Sequence, residues 1–210
     1  MGSLRRGAFV VFEGCDRTGK STQATACLQR LQTSGVDAHL VRYPDRTTHT
    51  GALLDRYLRR ETEMDDRAVH LLFSANRWES MDAVRRMMQA GTTVLADRYA
   101  YSGAAYSCAK GLDLAWCKGP DRGLVRPDAV IFLQASARAA AGRDGYGTER
   151  YETPELQERV RTVFGALVEP SWKILDAAAP VDVLADQVYA IVSDAVGRVR
   201  ELPIQDTLWL

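Results

Sequence analysis

The residues with the clearest chemical meaning form one glycine-rich run near the start of the chain. Gly14 and Gly19 are separated by four residues and followed by Lys20 and Ser21. Glycines let backbone N–H groups converge on phosphates, the lysine can reach the outer phosphates of a nucleotide, and the serine hydroxyl can ligate Mg²⁺. An apolar run precedes the segment and a helical pattern follows it, which is the context that a phosphate-binding P-loop requires. The predicted ATP-binding loop consists of Gly14, Cys15, Asp16, Arg17, Thr18, Gly19, Lys20, Ser21 and Thr22.

A carboxylate and an arginine follow a second apolar run. Asp97 and Arg98 come directly after residues 93–96, whose composition predicts a buried strand. A carboxylate at the end of such a strand, beside a P-loop, is placed to help hold Mg²⁺ through its water shell, so Ser21 and Asp97 are the predicted metal residues. Arg98 is predicted to clamp an acceptor phosphate, or to bridge donor and acceptor as charge spreads in the transition state.

The chain lacks the motif that reads guanine. Switches that bind GTP need Asn-Lys-x-Asp, whereas the single asparagine, Asn76, is followed by Arg77. Two classes of function remain, a kinase that transfers the terminal phosphoryl group of ATP and a non-catalytic sensor that only binds a nucleotide. We favour the kinase, because a sensor needs no charged group such as Asp16, Arg17 and Arg98 around the transferred phosphate.

The composition predicts one domain without a polyanionic partner. The 210 residues are 46% hydrophobic, enough for one sizeable core, and we assign 1–210 to a single domain. The 27 basic and 27 acidic side chains balance, so neither nucleic acid nor a membrane surface is an expected partner. No apolar run reaches the roughly 20 residues of a transmembrane helix, and the first residues do not resemble a signal peptide.

The cysteines predict a reducing environment. Cys15, Cys27, Cys108 and Cys117 lack the close spacing of a zinc site, and a chain of this length needs no disulfide bonds. We therefore expect free thiols and a cytoplasmic location, with a nuclear location left open.

Short β-branched or aromatic runs alternate with longer stretches of helical spacing. Such alternation predicts βαβ units, hence an α/β fold with a five-stranded parallel sheet and helices on both faces. The predicted strands cover 8–12, 38–42, 93–96, 129–133 and 173–175. The predicted helices cover 20–33, 50–60, 65–90 (where a break near Ser80 stays open), 101–109, 155–172 and 182–200. Between the predicted strand 129–133 and the predicted helix 155–172, the three glycines of Gly142–Thr148 predict a mobile flap.

Four further segments, taken with the P-loop, resemble the thymidylate kinase family, whose members convert dTMP to dTDP. They occur in the family's order and at close to its spacing, and Asp16-Arg17 inside the loop is the eukaryotic-like version. The resemblance extends from about Phe9 to the last predicted helix. It implies a P-loop nucleoside monophosphate kinase fold with a short lid at about 142–152, ATP and dTMP as substrates, Mg²⁺ as cofactor, and a homodimer. The segments are Arg42-Tyr43-Pro44-Asp45-Arg46, Phe73-Ser74-Ala75-Asn76-Arg77-Trp78-Glu79, Asp97-Arg98-Tyr99-Ala100-Tyr101-Ser102-Gly103 and Glu149-Arg150-Tyr151-Glu152.

The resemblance assigns residues to the phosphate and sugar of dTMP. It implies that Arg46 grips the phosphate and that Asp16 accepts a hydrogen bond from the 3′-hydroxyl while helping to hold the loop. Ser102 and Gly103 belong to the same substrate site. Tyr106 lies against the sugar, where a bulky ring would exclude a 2′-hydroxyl.

A base site is predicted at two residues that are four positions apart on a helix. Phe73 and Arg77 share one helix face, so the ring can stack on a pyrimidine while the guanidinium bonds its carbonyl edge. From the residues alone, ordinary core packing of Phe73 with Arg77 at its rim is the competing interpretation. The resemblance implies that both residues bind the base.

The resemblance also implies which residues carry the transition-state charge. It makes Asp16, Arg17, Lys20 and Arg98 catalytic, with Arg17 acting as an arginine finger over the transferred phosphoryl group. Family members place the catalytic arginine either in the P-loop or in the lid, so the assignment to Arg17 stays open.

In the lid, the resemblance implies that Arg143 lies along the adenine of ATP and that Arg150 and Tyr151 face the phosphates and dTMP.

One alternative enzymatic function stays open. The protein could be a kinase for a different acceptor, either another deoxynucleoside monophosphate or a deoxynucleoside.

Overall fold

The computed structural model describes residues 6–135 and 149–210, and the described residues form a five-stranded parallel sheet with helices on both faces. Each of the five predicted strands is present within one residue of its predicted bounds, which confirms the predicted fold class. The strands are β1 (Phe9–Glu13), β2 (Ala38–Arg42), β3 (Thr93–Asp97), β4 (Ala129–Gln134) and β5 (Lys173–Asp176), and they stand in the order β2-β3-β1-β4-β5.

Most helices follow the predicted pattern, but one is shorter than predicted, a short helix at Leu114–Lys118 was not predicted, and the break left open near Ser80 does not occur. Helix α3 runs without a break, because the Ser80 hydroxyl donates to the Arg77 carbonyl at 2.9 Å and stays within the helix. Helix α6 ends at Leu167 rather than 172, since Pro170 disfavours helical backbone in the residue before it. The helices are α1 (Lys20–Thr33), α2 (His49–Leu58), α3 (Asp66–Gln89), α4 (Ala100–Ala109), α5 (Leu114–Lys118), α6 (Pro154–Leu167) and α7 (Val181–Val199), with a 3₁₀ turn at Gly119–Asp121.

Two helical layers bury the sheet. Successive side chains of a strand point to opposite faces, so Phe9 and Val11 contact the layer that contains α3, α4 and α6. Val10 and Phe12 contact the layer formed by α1 and α7. In the described part of the chain, no helix combines the length and the apolar character needed to span a membrane.

The strand order fixes where a ligand can bind. β1 lies between β3 and β4, with Val11 beside Ala96 on one side and Val130 on the other. The chain leaves β1 toward β2 and later crosses β1 to reach β4, so the loops after β1 and β3 meet at the carboxyl edge of the sheet. Open α/β sheets bind ligands at this kind of switch point.

Candidate active site

A cavity of about 530 Å³ opens at this carboxyl edge. Its walls come from the P-loop, the segment after β2, helices α3 and α4, and the segment before α6. The structure therefore brings together residues that lie far apart in the sequence. The predicted site residues that line the cavity are Asp16, Arg17, Gly19, Lys20, Ser21, Thr22, Arg46, Phe73, Arg77, Asp97, Arg98, Ser102, Gly103, Tyr106 and Tyr151.

The other predicted loop residues form the floor beneath the cavity. Gly14 has φ 143°, and a Cβ there would lie 2.5 Å from the Leu133 carbonyl oxygen, so glycine is required at this turn. Cys15 is buried, and its carbonyl accepts bonds from Thr18 Oγ1 at 3.1 Å and from Lys20 Nζ at 2.5 Å. These contacts shape the loop around the lysine.

The Lys20 ammonium is buried among polar and charged groups. Burial, followed by the charge of Arg98, lowers the pKa of Lys20 to about 8, although Asp16 and Asp97 act in the opposite direction. Phosphates in the loop would favour the protonated lysine, because an opposite charge stabilises the charged form.

Asp16 is an acid inside an anion-binding loop, and the structure supplies its partners. Its Oδ1 accepts a bond from Arg98 Nη2, and its Oδ2 accepts one from Gln157 Nε2 at 2.6 Å. Gln157 also accepts the Asp16 backbone N–H at 2.9 Å. Burial raises the pKa of Asp16, but the charges of Arg98 and Lys20 outweigh it, so that the pKa lies below its usual value. The carboxylate is therefore ionised and fixed in place.

Arg98 joins the P-loop to helix α4. Besides its bond to Asp16, Nη1 donates to the Gly14 carbonyl at 3.3 Å and to Ser102 Oγ at 3.1 Å. Ser102 Oγ in turn donates to Glu13 Oε2 at 2.5 Å, and Glu13 Oε1 accepts the Ser102 backbone N–H at 3.0 Å. Burial raises the pKa of Glu13, against the hydrogen bonds of Ser102 and the charge of Arg98.

The wall assigned to the base carries an aromatic ring and a buried guanidinium. Phe73 is half-buried at the cavity, and Arg77, one helical turn later, is only 2% exposed. The Arg77 guanidinium forms a two-bond pair with Asp121, with Nε–Oδ1 at 3.1 Å and Nη2–Oδ2 at 2.6 Å. Arg77 is thus a buried and paired residue of the cavity wall, and its role in binding the base stays a prediction.

Tyr106, which the resemblance places against the sugar, stands beside Tyr151 on the cavity wall. The rings of Tyr106 and Tyr151 lie 5.4 Å apart, and both residues are buried yet line the cavity. Gln157 Nε2 lies 3.4 Å from the Tyr106 hydroxyl and donates to the Tyr151 carbonyl at 2.9 Å. The Arg98 guanidinium stands 5.5 Å from the Tyr106 ring centre. The Tyr106 ring is therefore packed against Tyr151, Arg98 and Gln157 at the cavity wall.

Two further arginines, Arg17 and Arg46, line the cavity and bond to carboxylates. Arg17 has φ 59°, and its Nε donates to Glu152 Oε1 at 2.9 Å. Arg46 donates to Asp55 at 2.6 Å and to Glu149 at 2.7 Å. Residues 149–152 thus contact both the P-loop and the segment after β2.

Ser21 and Asp97 place two oxygen atoms side by side on the cavity wall. Ser21 Oγ donates to Asp97 Oδ2 at 2.5 Å. Hydroxyl and carboxylate oxygens are the ligands that Mg²⁺ prefers, and Mg²⁺ at phosphate sites usually takes only one or two protein ligands. The donor set therefore fits a nucleotide-bound Mg²⁺.

Comparison with known proteins agrees with this geometry. The thymidylate kinase family matches residues 12–188. A thymidylate kinase of Homo sapiens is 42% identical over 211 residues, covering 99% of both chains, and one of Arabidopsis thaliana is 44% identical over 204 residues, covering 97% of this chain and 78% of that relative. The chain belongs to the thymidylate kinase family. A solved thymidylate kinase from Candida albicans has the same fold, with a TM-score of 0.83 and 34% identity over 90% of this chain and 92% of its own.

One residue that the thymidylate kinase resemblance assigned to the lid, Arg150, does not join the described cavity. Arg150 was expected to face the phosphates, but its guanidinium donates to Glu63 at 2.7 Å and to the Tyr57 and Thr62 carbonyls. These three acceptors hold Arg150 on the outer side of the segment. Arg143 and the glycine stretch 142–148 lie outside the described residues.

Sequence reasoning missed several groups that support the family's site. Glu13 and Gln157 are buried polar residues, of which Gln157 bonds to Asp16 in the P-loop and Glu13 bonds to Ser102 in helix α4. Asp121 bonds to Arg77. Arg42 lines the cavity, 3.9 Å from Asp97. Glu13 directly precedes the P-loop at the end of an apolar strand, and that position was a usable signal. Gln157 and Asp121 carry no local pattern.

Proposed function

We propose that this protein transfers the terminal phosphoryl group of ATP to dTMP, giving ADP and dTDP, with Mg²⁺ bound to the nucleotide. One observation carries the proposal. The P-loop and a wall bearing an aromatic ring and a buried arginine open into one cavity, and Arg98 bonds to both sides of it. A donor nucleotide and an acceptor nucleotide can therefore bind face to face.

The donor side consists of the P-loop. Its backbone N–H groups and the helix α1 N-terminus would hold the phosphates, and Lys20 would neutralise their outer charge. When bound, Mg²⁺ supplies further neutralisation of the outer phosphates, and Ser21 and Asp97 would hold it. Arg143 is proposed for the adenine, within a lid at about 142–152.

The acceptor side consists of helices α3 and α4 with the segment after β2. Phe73 and Arg77 would bind the thymine and Arg46 the phosphate, supported by their places on the cavity wall. Tyr106 would lie against the sugar beside Asp16. The Asp16 carboxylate would accept a hydrogen bond from the 3′-hydroxyl. Ser102, Gly103 and Tyr151 would complete this side.

The chemistry requires positioning and charge neutralisation. An oxygen of the dTMP phosphate attacks the γ-phosphorus of ATP, and the bond from that phosphorus to the bridging oxygen breaks, so the electron pair leaves with ADP. The attacking oxygen is already ionised, so no strong general base is needed. Arg17, Lys20 and Arg98 would stabilise the charge on the transferred group. Closure over the reactants would exclude water.

A homodimer and a reducing location are part of the proposal. Leu71, Trp78 and Trp116 are large apolar side chains exposed on α3 and α5, and a second copy would bury them. The described cysteines are free thiols, which suits the cytoplasm. Sedimentation of the purified protein and fractionation of cells test these two points.

The function is tested by release of ADP with ATP and a panel of acceptors. The panel holds dTMP, dUMP, dGMP, the ribonucleotide of thymine and thymidine. We expect turnover to be highest with dTMP and to require Mg²⁺. Higher turnover with another acceptor would show that dTMP is not the preferred substrate. Absence of turnover with every acceptor would favour the alternative that the protein only binds a nucleotide.

A further inference from the structure

Arg77 reaches the cavity with one edge of its guanidinium already occupied. Asp121 accepts from Nε and Nη2, and Arg77 and Asp121 are 2% and 0% exposed. A guanidinium has more N–H donors than this pair uses, and the others lie in the same plane. Behind the group, a Cβ at Gly103 would stand 2.7 Å from Nη2. The plane of the guanidinium is therefore set by its surroundings.

Asp121 is itself fixed by helix α3. Ser74 Oγ donates to Asp121 Oδ1 at 2.7 Å. Trp78 Nε1 donates to the Pro120 carbonyl at 2.8 Å in the same 3₁₀ turn. Residues one helical turn apart on α3 thus hold the turn that carries the carboxylate.

The carboxyl-terminal segment holds the other side of this turn. The Gly123 N–H donates to the Leu208 carbonyl at 3.1 Å, and the Leu208 N–H donates to the Leu124 carbonyl at 3.2 Å. Leu208 is 2% exposed. Asp121 therefore has little freedom to move, although it lies outside the cavity lining.

We infer that Asp121 is a positioning residue for base selection, acting by fixing the plane of Arg77 so that its remaining donors meet a carbonyl of the acceptor base. The inference rests on the proposed function. A buried ion pair contributes little net stability compared with apolar packing, whereas a preorganised donor improves recognition. A base with an amino group at that edge meets only donors and is rejected.

The test substitutes Asp121→Asn, which keeps the shape and removes the charge. We expect the KM for dTMP to rise about tenfold or more, since Arg77 loses a charged partner, while the KM for ATP stays within about twofold. The ratio of kcat/KM for dTMP over dCMP should narrow. A role in folding alone would lower the active fraction and hence kcat, with both KM values and the base ratio unchanged, and that result would overturn the inference.

Asp128 offers a matched control. It forms a comparable two-bond pair with Arg6, at 2.7 Å for both bonds, at the amino ends of the strands. Asp128→Asn should lower stability without changing the KM for dTMP or the base ratio. A second check is the double variant Arg77→Ala/Asp121→Asn, whose KM for dTMP should equal that of Arg77→Ala, because Asp121 acts only through Arg77. Additive effects would contradict this.

Two outcomes keep the inference separate from the proposed function. Failure of the wild-type protein to phosphorylate dTMP would refute the function, whereas normal wild-type turnover with unaltered Asp121→Asn kinetics would refute the inference alone.

If Asp121→Asn does not fold, Ser74→Ala supplies the test, because it removes one donor to Asp121 and leaves both charges paired. We expect the KM for dTMP in Ser74→Ala to rise about two- to fivefold, and an unchanged value would overturn the inference.

Discussion

Asp16 shows how single residues in this site depend on charge balance. A carboxylate among phosphate-binding amides would repel the nucleotide if it stood alone. Arg98 and Gln157 bond both of its oxygens, and the pKa of Asp16 lies below its usual value because the nearby charges of Arg98 and Lys20 outweigh burial. The carboxylate thus stays ionised and serves as an acceptor, while Arg98 keeps its other contacts. This arrangement allows an acid to occupy an anion-binding loop.

Arg17 is predicted to act on the transition state rather than on substrate binding. Its φ of 59° is a conformation that glycine adopts freely, so Arg17→Gly should preserve the loop. We expect kcat to fall about a hundredfold or more, with little change in the KM for dTMP, because the lost charge acts mainly on the transferring phosphoryl group. Steady-state kinetics measure both parameters. If only KM changes, the catalytic charge belongs to Arg98 or to the lid.

Tyr106 is predicted to exclude ribonucleotides by its volume. The ring is 7% exposed and lines the cavity beside Arg98. Tyr106→Ala should admit the ribonucleotide of thymine and narrow the ratio of kcat/KM for deoxy over ribo acceptors, with some loss of activity on dTMP. Tyr106→Phe should keep most of the discrimination, since it keeps the ring. A ratio that is the same in Tyr106→Ala and wild type would return Tyr106 to a packing role.

At the scale of elements, the sequence predicted what local patterns control. Alternating apolar runs predicted all five strands, and the spacing of Gly14, Gly19 and Lys20 predicted a loop whose residues line the cavity. The helical spacing continues past Leu167, but Pro170 disfavours helical backbone in the residue before it, so the spacing alone predicts α6 too long. Helix α5 was missed because it is only five residues long.

The contacts that orient the site residues could not be predicted from the sequence alone. Gln157 bonds Asp16 across 141 positions, and Asp121 bonds Arg77 across 44. Such pairs depend on how helices pack, and no short-range spacing specifies them. The residue types of the site could therefore be predicted, whereas the residues that hold them could not.

Glu13 is predicted to fix the junction between β1 and helix α4. It is fully buried and accepts the N–H groups of Tyr99 and Ser102 at 2.9 and 3.0 Å, at the start of α4. Glu13→Gln replaces one acceptor oxygen with a donor, so the free energy of unfolding should fall by roughly 1–3 kcal/mol. Urea unfolding measures the change. The exposed Glu61→Gln is the control and should stay close to wild type, and equal stability of the two variants would contradict the assigned role.

At the scale of the whole molecule, the cavity depends on contacts between the helices around it. Helices α3, α4 and α5 meet at His70, whose ring nitrogens lie 2.8 Å from Ser107 Oγ and 2.9 Å from the Cys117 carbonyl oxygen. The ring also packs against Trp116, with 5.3 Å between ring centres. A buried polar junction of this kind fixes the relative placement of α3 and α4, two helices that line the cavity.

This junction predicts a dependence of stability on pH. His70 is fully buried, and burial, followed by the charge of Arg77, lowers its pKa below the ordinary 6.5. The unfolded chain therefore binds a proton at a higher pH than the folded protein does, and stability is lost as pH falls below about 6.5, by at most about 1.4 kcal/mol per pH unit. Urea unfolding between about pH 7.5 and 5.5 measures the change in the free energy of unfolding per pH unit.

The variant His70→Asn tests this assignment. It should lower the stability at neutral pH and flatten the pH dependence, because the titrating group is gone, while the exposed His39→Asn should keep the wild-type pH dependence. Equal slopes in His70→Asn and wild type would show that another group controls the loss of stability in acid.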